Sequence, residues 1–170
     1  MIGALLDTAQ PRAGELDDAD GFAAAVEPHL PLLARVAGRL GPPDRREDVL
    51  QEALLRAWAH RRQYDPNKGA LLNWLLTIVA NEARRASGRQ RHALPLNVPP
   101  AVVDMAPEDR LDLESATVKL PERQRLAVDC FYYVGLSVAQ TAAVMGCSEG
   151  YVKSALSDAR KHLRLELEKT

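Results

Sequence analysis

Apolar residues recur along this chain at helical spacing, and no run of useful length alternates as a strand does. Leu33, Val36, Ala37 and Leu40 share one face, Leu50, Leu54, Ala57 and Trp58 a second, and Leu72, Leu75, Val79 and Ala83 a third. Pro28 and Pro31 predict that the first of these helices starts or kinks there, since proline removes a backbone donor and crowds the preceding turn. Pro43 and Asp44 open the second helix, and the DPNKG run at residues 65–69 is a turn that separates it from the third. This pattern predicts a small N-terminal helical bundle.

The pattern lapses between Arg91 and Thr117, where Pro95, Pro99, Pro100 and Pro107 push their preceding residues toward extended geometry and no helical period is sustained. That stretch reads as a linker. Helical signals resume at Pro121, which suits the first turn of a helix through Leu126, Val128 and Phe131 that ends at Gly135. Ser137 and Gln140 form an S-x-x-Q capping box, opening a short helix to Met145. Gly146 then permits a tight turn, Ser148 caps a further helix, and Glu149 stands in that helix's first turn. Val152, Ala155, Leu156, Ala159 and Leu163 form its apolar set, which leaves Tyr151, Lys153, Ser154, Ser157, Asp158 and Lys161 outward or on the flanks.

The fold class expected is therefore all-α: two small helical domains joined by a Pro-rich acidic linker, the second a helix-turn-helix. The boundaries are a flexible acidic segment over 1–19, a first domain over 20–92, the linker over 93–116 and a second domain over 117–170.

Composition is that of a globular chain: 170 residues, 46% hydrophobic and 26% charged, with a formal net charge of −1. The longest nearly apolar stretch, residues 69–80, falls short of the roughly 18 residues of a membrane span, so no membrane insertion is expected. The N-terminus has no basic segment leading into an apolar one, and a cytoplasmic location is expected. Cys130 and Cys147 are too few for a disulfide framework or an all-cysteine metal site and read as small core residues. The near-neutral total conceals segregation: residues 1–33 carry −5, 34–94 carry +6, 95–118 carry −4 and 119–170 carry +2. Two basic modules flanking an acidic connector make an anionic partner a candidate.

Ala142, Gly146 and Val152 have the spacing of a helix-turn-helix: a small residue where helices touch, a glycine at the turn and an apolar anchor on the second helix. Such a unit lays its second helix in the DNA major groove, where short polar side chains reach base edges and cations meet phosphate. An ordinary helical hairpin has the same outline, so the motif alone leaves both readings open.

The segment at residues 120–164, LPERQRLAVDCFYYVGLSVAQTAAVMGCSEGYVKSALSDARKHLR, resembles the promoter-reading C-terminal domain of bacterial extracytoplasmic-function sigma factors of the sigma-70 family. Residues 46–66, REDVLQEALLRAWAHRRQYDP, followed by NWLLTIVANEARR at 73–85, resemble their N-terminal domain. The order of the domains and the linker also match, so the resemblance covers nearly everything from Asp20 to Leu167.

The resemblance implies a non-catalytic protein that binds core RNA polymerase, recognises the proximal (−10) and distal (−35) promoter elements and initiates transcription of a specific regulon. Asp48, Gln51, Glu52 and Leu55, in a D-x-x-Q-E pattern at i, i+3, i+4 and i+7, would contact the polymerase clamp helices, the other reading being a solvated acidic face. The loop at 64–69, with Tyr64, Asp65, Asn67 and Lys68, would hold an unstacked base of the proximal element, and Asn81, Arg84 and Arg85 would follow the strand or its phosphates. Trp58 and Trp74 read as core, since both lie on apolar faces. For the distal element the candidates are Tyr151, Lys153, Ser154, Ser157, Asp158, Arg160, Lys161 and Arg164. An anti-sigma protein is a further implied partner.

Three positions depart from the family pattern. Arg85 stands where an Asp is usual, and Ala155 and Asp158 stand where Arg is usual, a loss of two cations expected to weaken phosphate attraction or redirect base preference. The linker acids Asp104, Glu108, Asp109, Asp112 and Glu114 read either as a nucleic-acid mimic for basic polymerase channels or as a solvated spacer. The acidic stretch from Asp7 to Asp20 reads either as disordered or as a self-inhibitory strip over a basic surface.

Enzymatic readings fail on the residues. His29, His60, His92 and His162 are scattered, and neither H-E-x-x-H nor a Gly-rich phosphate loop occurs, so no cofactor or metal is expected. Two alternatives to the sigma reading are a DNA-binding regulator acting without polymerase and a helical interaction module that sequesters a regulator.

Overall fold

The computed structural model describes Pro11, residues 14–89 and residues 107–168, with side chains placed at Pro11, 14–88 and 113–168. All of its regular structure is helical. The chain divides into two compact units, Met1–Leu94 and Pro95–Thr170.

Unit 1 is built on α2 (Leu30–Leu40), α3 (Arg46–His60) and α4 (Leu71–Arg89), which pack pairwise. Leu33, Val36 and Ala37 of α2 and Leu72, Leu75, Val79 and Ala83 of α4 are buried as their spacing predicts. Each fully buried leucine or valine contributes roughly 1.5–3 kcal/mol. On α3 the buried stripe is Val49, Ala53 and Ala57, so Leu50, Leu54 and Trp58 flank the core instead of filling it. Small side chains at the closest approach let α3 sit near its neighbours. Gly41 ends α2 where a Cβ would stand 2.6 Å from the Ala37 carbonyl, and the Ser87 hydroxyl of α4 donates to the Leu40 carbonyl at 2.9 Å.

The prolines act locally as expected. Pro28 lies in a 3-10 turn, Glu27–His29, that leads into α2, and Pro43 opens another, Pro43–Arg45, so α3 proper starts at Arg46. Residues 14–19, read from sequence as part of a flexible segment, are instead anchored within unit 1. Leu16 is buried, Asp18 caps a further helix, α1 (Ala19–Val26), by accepting from Gly21 N–H at 2.8 Å, and Phe22 of α1 meets Trp58 edge-on at 5.3 Å.

Unit 2 opens with α5 (Pro107–Val118), on residues read from sequence as linker. The helix forms because Pro107 is harmless at a helical N-terminus, and α5 packs against α8 (Glu149–Leu167), with Ala116 and Thr117 buried. Residues 90–106, with the other linker prolines and Asp104, lie outside the described residues, as do the side chains of Glu108, Asp109 and Asp112; Glu114 is half-buried. Pro121 is the N-cap of α6 (Glu122–Val128), which widens into a π-helical stretch, Asp129–Val134, that turns Cys130, Tyr133 and Val134 inward before left-handed Gly135 (φ 84°) ends it.

The capping box at α7 (Val138–Met145) is present in full: Ser137 Oγ accepts from Gln140 N–H at 3.1 Å, and Ser137 N–H donates to Gln140 Oε1 at 2.8 Å. Gly146 is left-handed (φ 62°), and Cys147 N–H donates to the Ala142 carbonyl at 3.1 Å, closing α7 in the manner of a Schellman motif. Ser148 then caps α8 (Glu149–Leu167). Val152, Ala155, Leu156 and Ala159 of α8 join Leu120, Ala127, Val128, Tyr133, Ala142 and Met145 in one core, with Cys147 and Leu163 packed at its margin. Both cysteines are free thiols.

Two outcomes are expected. A side chain at Gly146 meets open space, so Gly146→Ala carries backbone strain alone and should lower unit 2 stability by about 1–2 kcal/mol, with Gly146→Asn costing less. Urea unfolding by circular dichroism measures this, because tryptophan fluorescence reports only unit 1, which holds Trp58 and Trp74. His29 is buried with its Nδ1 unpartnered, and burial lowers its pKa below the ordinary 6.5. The unfolded chain therefore takes up this proton first as pH falls through 6.5, and unit 1 loses stability at up to about 1.4 kcal/mol per pH unit. Fluorescence-monitored urea titrations at pH 7.5 and about pH 5.5 should show that loss, and His29→Leu should reduce it.

Candidate nucleic-acid interface

Three surfaces gather the residues singled out by sequence. The first is the outer face of α3. Burial of Val49, Ala53 and Ala57 turns Asp48, Gln51, Glu52 and Leu55 to solvent, and Leu55 is 59% exposed, an unusual state for a leucine mid-helix. Asp48 is held lightly by Arg45 Nε at 3.4 Å.

The second lies on the loop after α3 and on α4. The predicted turn is self-bonded: Asp65 Oδ1 accepts from the Asn67 N–H at 2.9 Å and from Asn67 Nδ2 at 3.1 Å, and Lys68 N–H donates to the Asp65 carbonyl at 3.0 Å. Lys68 Nζ stands 3.9 Å from Asp65 Oδ2. The Tyr64 hydroxyl donates to the Gly69 carbonyl at 3.2 Å, tying the loop's ends together. Burial, then the neighbouring Asp65 charge, raise the Tyr64 pKa, so the phenol stays protonated and able to donate. Beneath the loop the Tyr64 ring leans on Trp74 at 5.6 Å. Trp74 and Trp58 are half-buried, each packing against an aromatic neighbour, so neither is the fully enclosed core residue its apolar face predicts.

Further along α4, Asn81, Arg84 and Arg85 are exposed. Arg84 Nη2 donates to Asn81 Oδ1 at 2.8 Å, so these two act as one polar unit. Arg85 is held by a residue that sequence reading missed. Glu82, its side chain only 7% exposed, accepts from Arg56 Nε of α3 at 3.1 Å and lies 3.5 Å from Arg85 Nη1. A buried carboxylate is tolerable only with such charge-assisted partners. Its signal was available: Leu75, Val79, Glu82 and Ala86 fall on one buried stripe, so a charge there demanded a partner.

A basic corner also forms at the end of α3. Arg61 lies over the Trp58 ring at 3.7 Å and donates to the Asp17 carbonyl from Nε and Nη2 at 3.3 and 3.2 Å, and Arg62 Nε stands 3.8 Å from Asp17 Oδ1. The described end of the acidic segment thus rests on cations.

The third surface is α8. Tyr151, Lys153, Ser154, Arg160, Lys161 and Arg164 are exposed, while Ser157 and Asp158 are half-buried. Arg160 Nη1 donates to the Tyr132 hydroxyl at 3.3 Å, and Lys161 Nζ meets Asp158 Oδ1 at 3.3 Å. Ala155 is buried in the core, so the departure there concerns packing and not a groove-facing cation, contrary to expectation. On this helix Asp158 remains the departure that changes the surface charge.

Among the described residues no group of His, Cys, Asp and Glu is placed to hold a metal ion, and no helix is long and apolar enough to cross a membrane.

Comparison with known proteins agrees with the two-unit division. Residues 25–93 match the family model described as Sigma-70 region 2, and residues 110–163 match that described as Sigma-70, region 4. The chain is 36% identical over 156 residues to the ECF RNA polymerase sigma factor SigL of Mycobacterium tuberculosis, covering 85% of this chain and 88% of that protein. It is 31% identical over 163 residues to SigK of Mycolicibacterium vanbaalenii, covering 86% and 82%. Among solved structures it is similar to CnrH in complex with the cytosolic domain of CnrY (TM-score 0.67, 26% identity, covering 91% of this chain and 93% of that one). It is also similar to the sigma factor RpoE in complex with the anti-sigma factor NepR from Bartonella quintana (TM-score 0.63, 29% identity, covering 88% and 98%).

Proposed function

The chain belongs to the extracytoplasmic-function sigma factors of the sigma-70 family, and from that premise we propose how its residues divide the work of an RNA polymerase sigma factor. Its role is regulatory: it brings core polymerase to a set of promoters, while the polymerase performs the chemistry. Acting there, it works in the cytoplasm.

The outer face of α3 docks on the polymerase clamp helices. The observation that carries this assignment is the exposed Leu55 on the same face as Asp48, Gln51 and Glu52. An apolar residue framed by polar ones is the composition of a docking surface with a desolvated centre and a polar rim.

The loop at 64–69 receives an unstacked base of the proximal promoter element. Its Asx turn and the Tyr64–Gly69 bond fix the backbone beforehand, so little conformational entropy is lost when the base enters. Asn67 and Lys68 project from it, and Asn81, Arg84 and Arg85 meet the strand leaving it, with Glu82 setting the direction of Arg85.

In unit 2, α8 enters the major groove at the distal element. Tyr151, Ser154 and Ser157 face base edges, and Lys153, Arg160, Lys161 and Arg164 meet phosphates. Asp158, its charge offset by Lys161, serves as an acceptor for cytosine N4. A protein inhibitor completes the scheme. One solved relative is in complex with the cytosolic domain of CnrY and the other with the anti-sigma factor NepR, and we assign an anti-sigma partner to this chain on that basis.

Co-elution with sigma-free core RNA polymerase at moderate salt tests the central assignment. The full chain should bind stoichiometrically, and Gln51→Ala with Glu52→Ala should abolish binding while leaving the circular dichroism unchanged, since both side chains lie outside the core. A folded wild-type chain that fails to bind would sink it. For unit 2, Lys153→Ala should weaken holoenzyme binding and lower the slope of log affinity against log salt by about one, the signature of one lost phosphate contact. An unchanged slope removes Lys153 from the phosphate contacts.

A further inference from the structure

Tyr151 is restrained more than an exposed side chain needs to be. It stands in the first turn of α8, where its N–H donates to Ser148 Oγ at 3.2 Å. Its hydroxyl accepts from Arg123 Nε of α6 at 3.0 Å, and the Arg123 guanidinium carbon lies 4.9 Å from the centre of its ring. The hydrogen bond fixes where the ring points, and the cation–π contact fixes which face is covered. Yet the residue is 43% exposed. Ordering a side chain costs rotamer entropy, and here that cost is not offset by full burial.

The place of this restraint is informative. The first turn of a helix-turn-helix recognition helix is where side chains reach base edges. Tyr151 shares a helical stripe with Ser154, Asp158 and Lys161, and the latter two are engaged with each other at 3.3 Å. The hydroxyl oxygen of Tyr151 accepts from Arg123, so the side chain turns to the groove its ring edge together with the hydroxyl's own proton, a pairing that suits thymine, whose C5-methyl lies beside the O4 acceptor. The apolar feature of the major-groove floor is the C5-methyl group of thymine.

We propose that Tyr151 reads a thymine of the distal promoter element through its ring edge and that Arg123 is the positioning residue that aims it. This rests on the assignment of α8 to the major groove made above. The pair supplies apolar discrimination on a surface where Asp158 has replaced an expected cation.

The test uses holoenzyme reconstituted from the full chain and core polymerase, selected on a promoter library randomised across the distal element. The wild type should prefer thymine at one position by about fivefold over the other bases, the lower end of what one mismatched pair costs. Tyr151→Ala should flatten that position to near parity. Arg123→Ala and Tyr151→Phe, which each remove the anchor and keep the other partner, should both reduce the preference to about twofold, with preferences at other positions unchanged. Thermal unfolding of each variant confirms that the units remain folded.

If the pair merely staples α6 to α8, these variants weaken binding to every library member alike, and that outcome overturns the proposal. A preference at that position that survives Tyr151→Ala overturns it too. A wild-type holoenzyme indifferent to the whole distal element is a separate result: it removes the major-groove assignment of α8 itself, and the thymine reading with it.

Discussion

Burial of Val49, Ala53 and Ala57 determines what α3 can present on its other side. A helix has one register, and once that stripe is committed to α2 and α4 the residues about half a turn away are bound to face solvent. Asp48, Gln51, Glu52 and Leu55 therefore form a contiguous face without any loop to arrange them. The small buried side chains keep α3 close to its neighbours, while Arg56 on its flank reaches Glu82 of α4 and locks the rotation of one helix against the other. Leaving Leu55 59% exposed forgoes roughly 1–2 kcal/mol of burial in the free chain. A partner that covers it recovers that energy, which makes the same residue a cost to the isolated protein and an asset to a complex.

Unit 2 solves a different problem, since its helices are short and its core must be closed by turns. Two left-handed glycines, Gly135 and Gly146, end the segments that precede α7 and α8, and serines cap both helices that follow. The angle at which α8 leaves the core thus depends on backbone geometry that Gly tolerates and most residues resist. Polar pairs between α8 and the preceding segments, Arg123 with Tyr151, Arg160 with Tyr132 and His162 with Gln124, then tie its exposed flank along its length. Tethering of this kind holds a reading helix in one orientation before it meets DNA.

What could be read from sequence follows from where the information resides. From Pro121 to Leu163 each element announces itself through its own caps and glycines, and the structure has those elements with nearly those ends. Local chemistry decides there. The turn at 65–69 was legible for the same reason. By contrast α5 was hidden by the prolines that precede it, because its formation depends on packing against α8, nearly fifty residues away. The ordered run from residue 14 to α1 was likewise masked by acidic composition, and only the contacts of Leu16 and Phe22 with unit 1 reveal it. On α3 the leucines drew attention from the alanines that are buried. Size suggested a core, while geometry required small residues at the point of closest approach.

Charge was the least transferable of the sequence-level quantities. Residues 34–94 carry +6 on paper, which on its own describes a broadly attractive surface for nucleic acid. In the folded unit, Arg56 and Arg85 share the Glu82 carboxylate, Arg62 faces the Asp17 carboxylate, and Arg61 donates to the Asp17 main-chain carbonyl. Opposite charges a few ångströms apart lie well within one Debye length, about 8 Å at physiological salt, so at a distance they act as dipoles and not as separate cations. The net of +6 already includes Glu82, so pairing leaves that total unchanged and only Asp17, outside the counted stretch, offsets it; what pairing changes is local: a guanidinium whose direction is set by its partner. Such a surface depends on geometry for the sequence it recognises. That is consistent with a protein whose recognition of promoter sequence matters only once it is seated on a polymerase, because loose binding elsewhere would keep it from its partner.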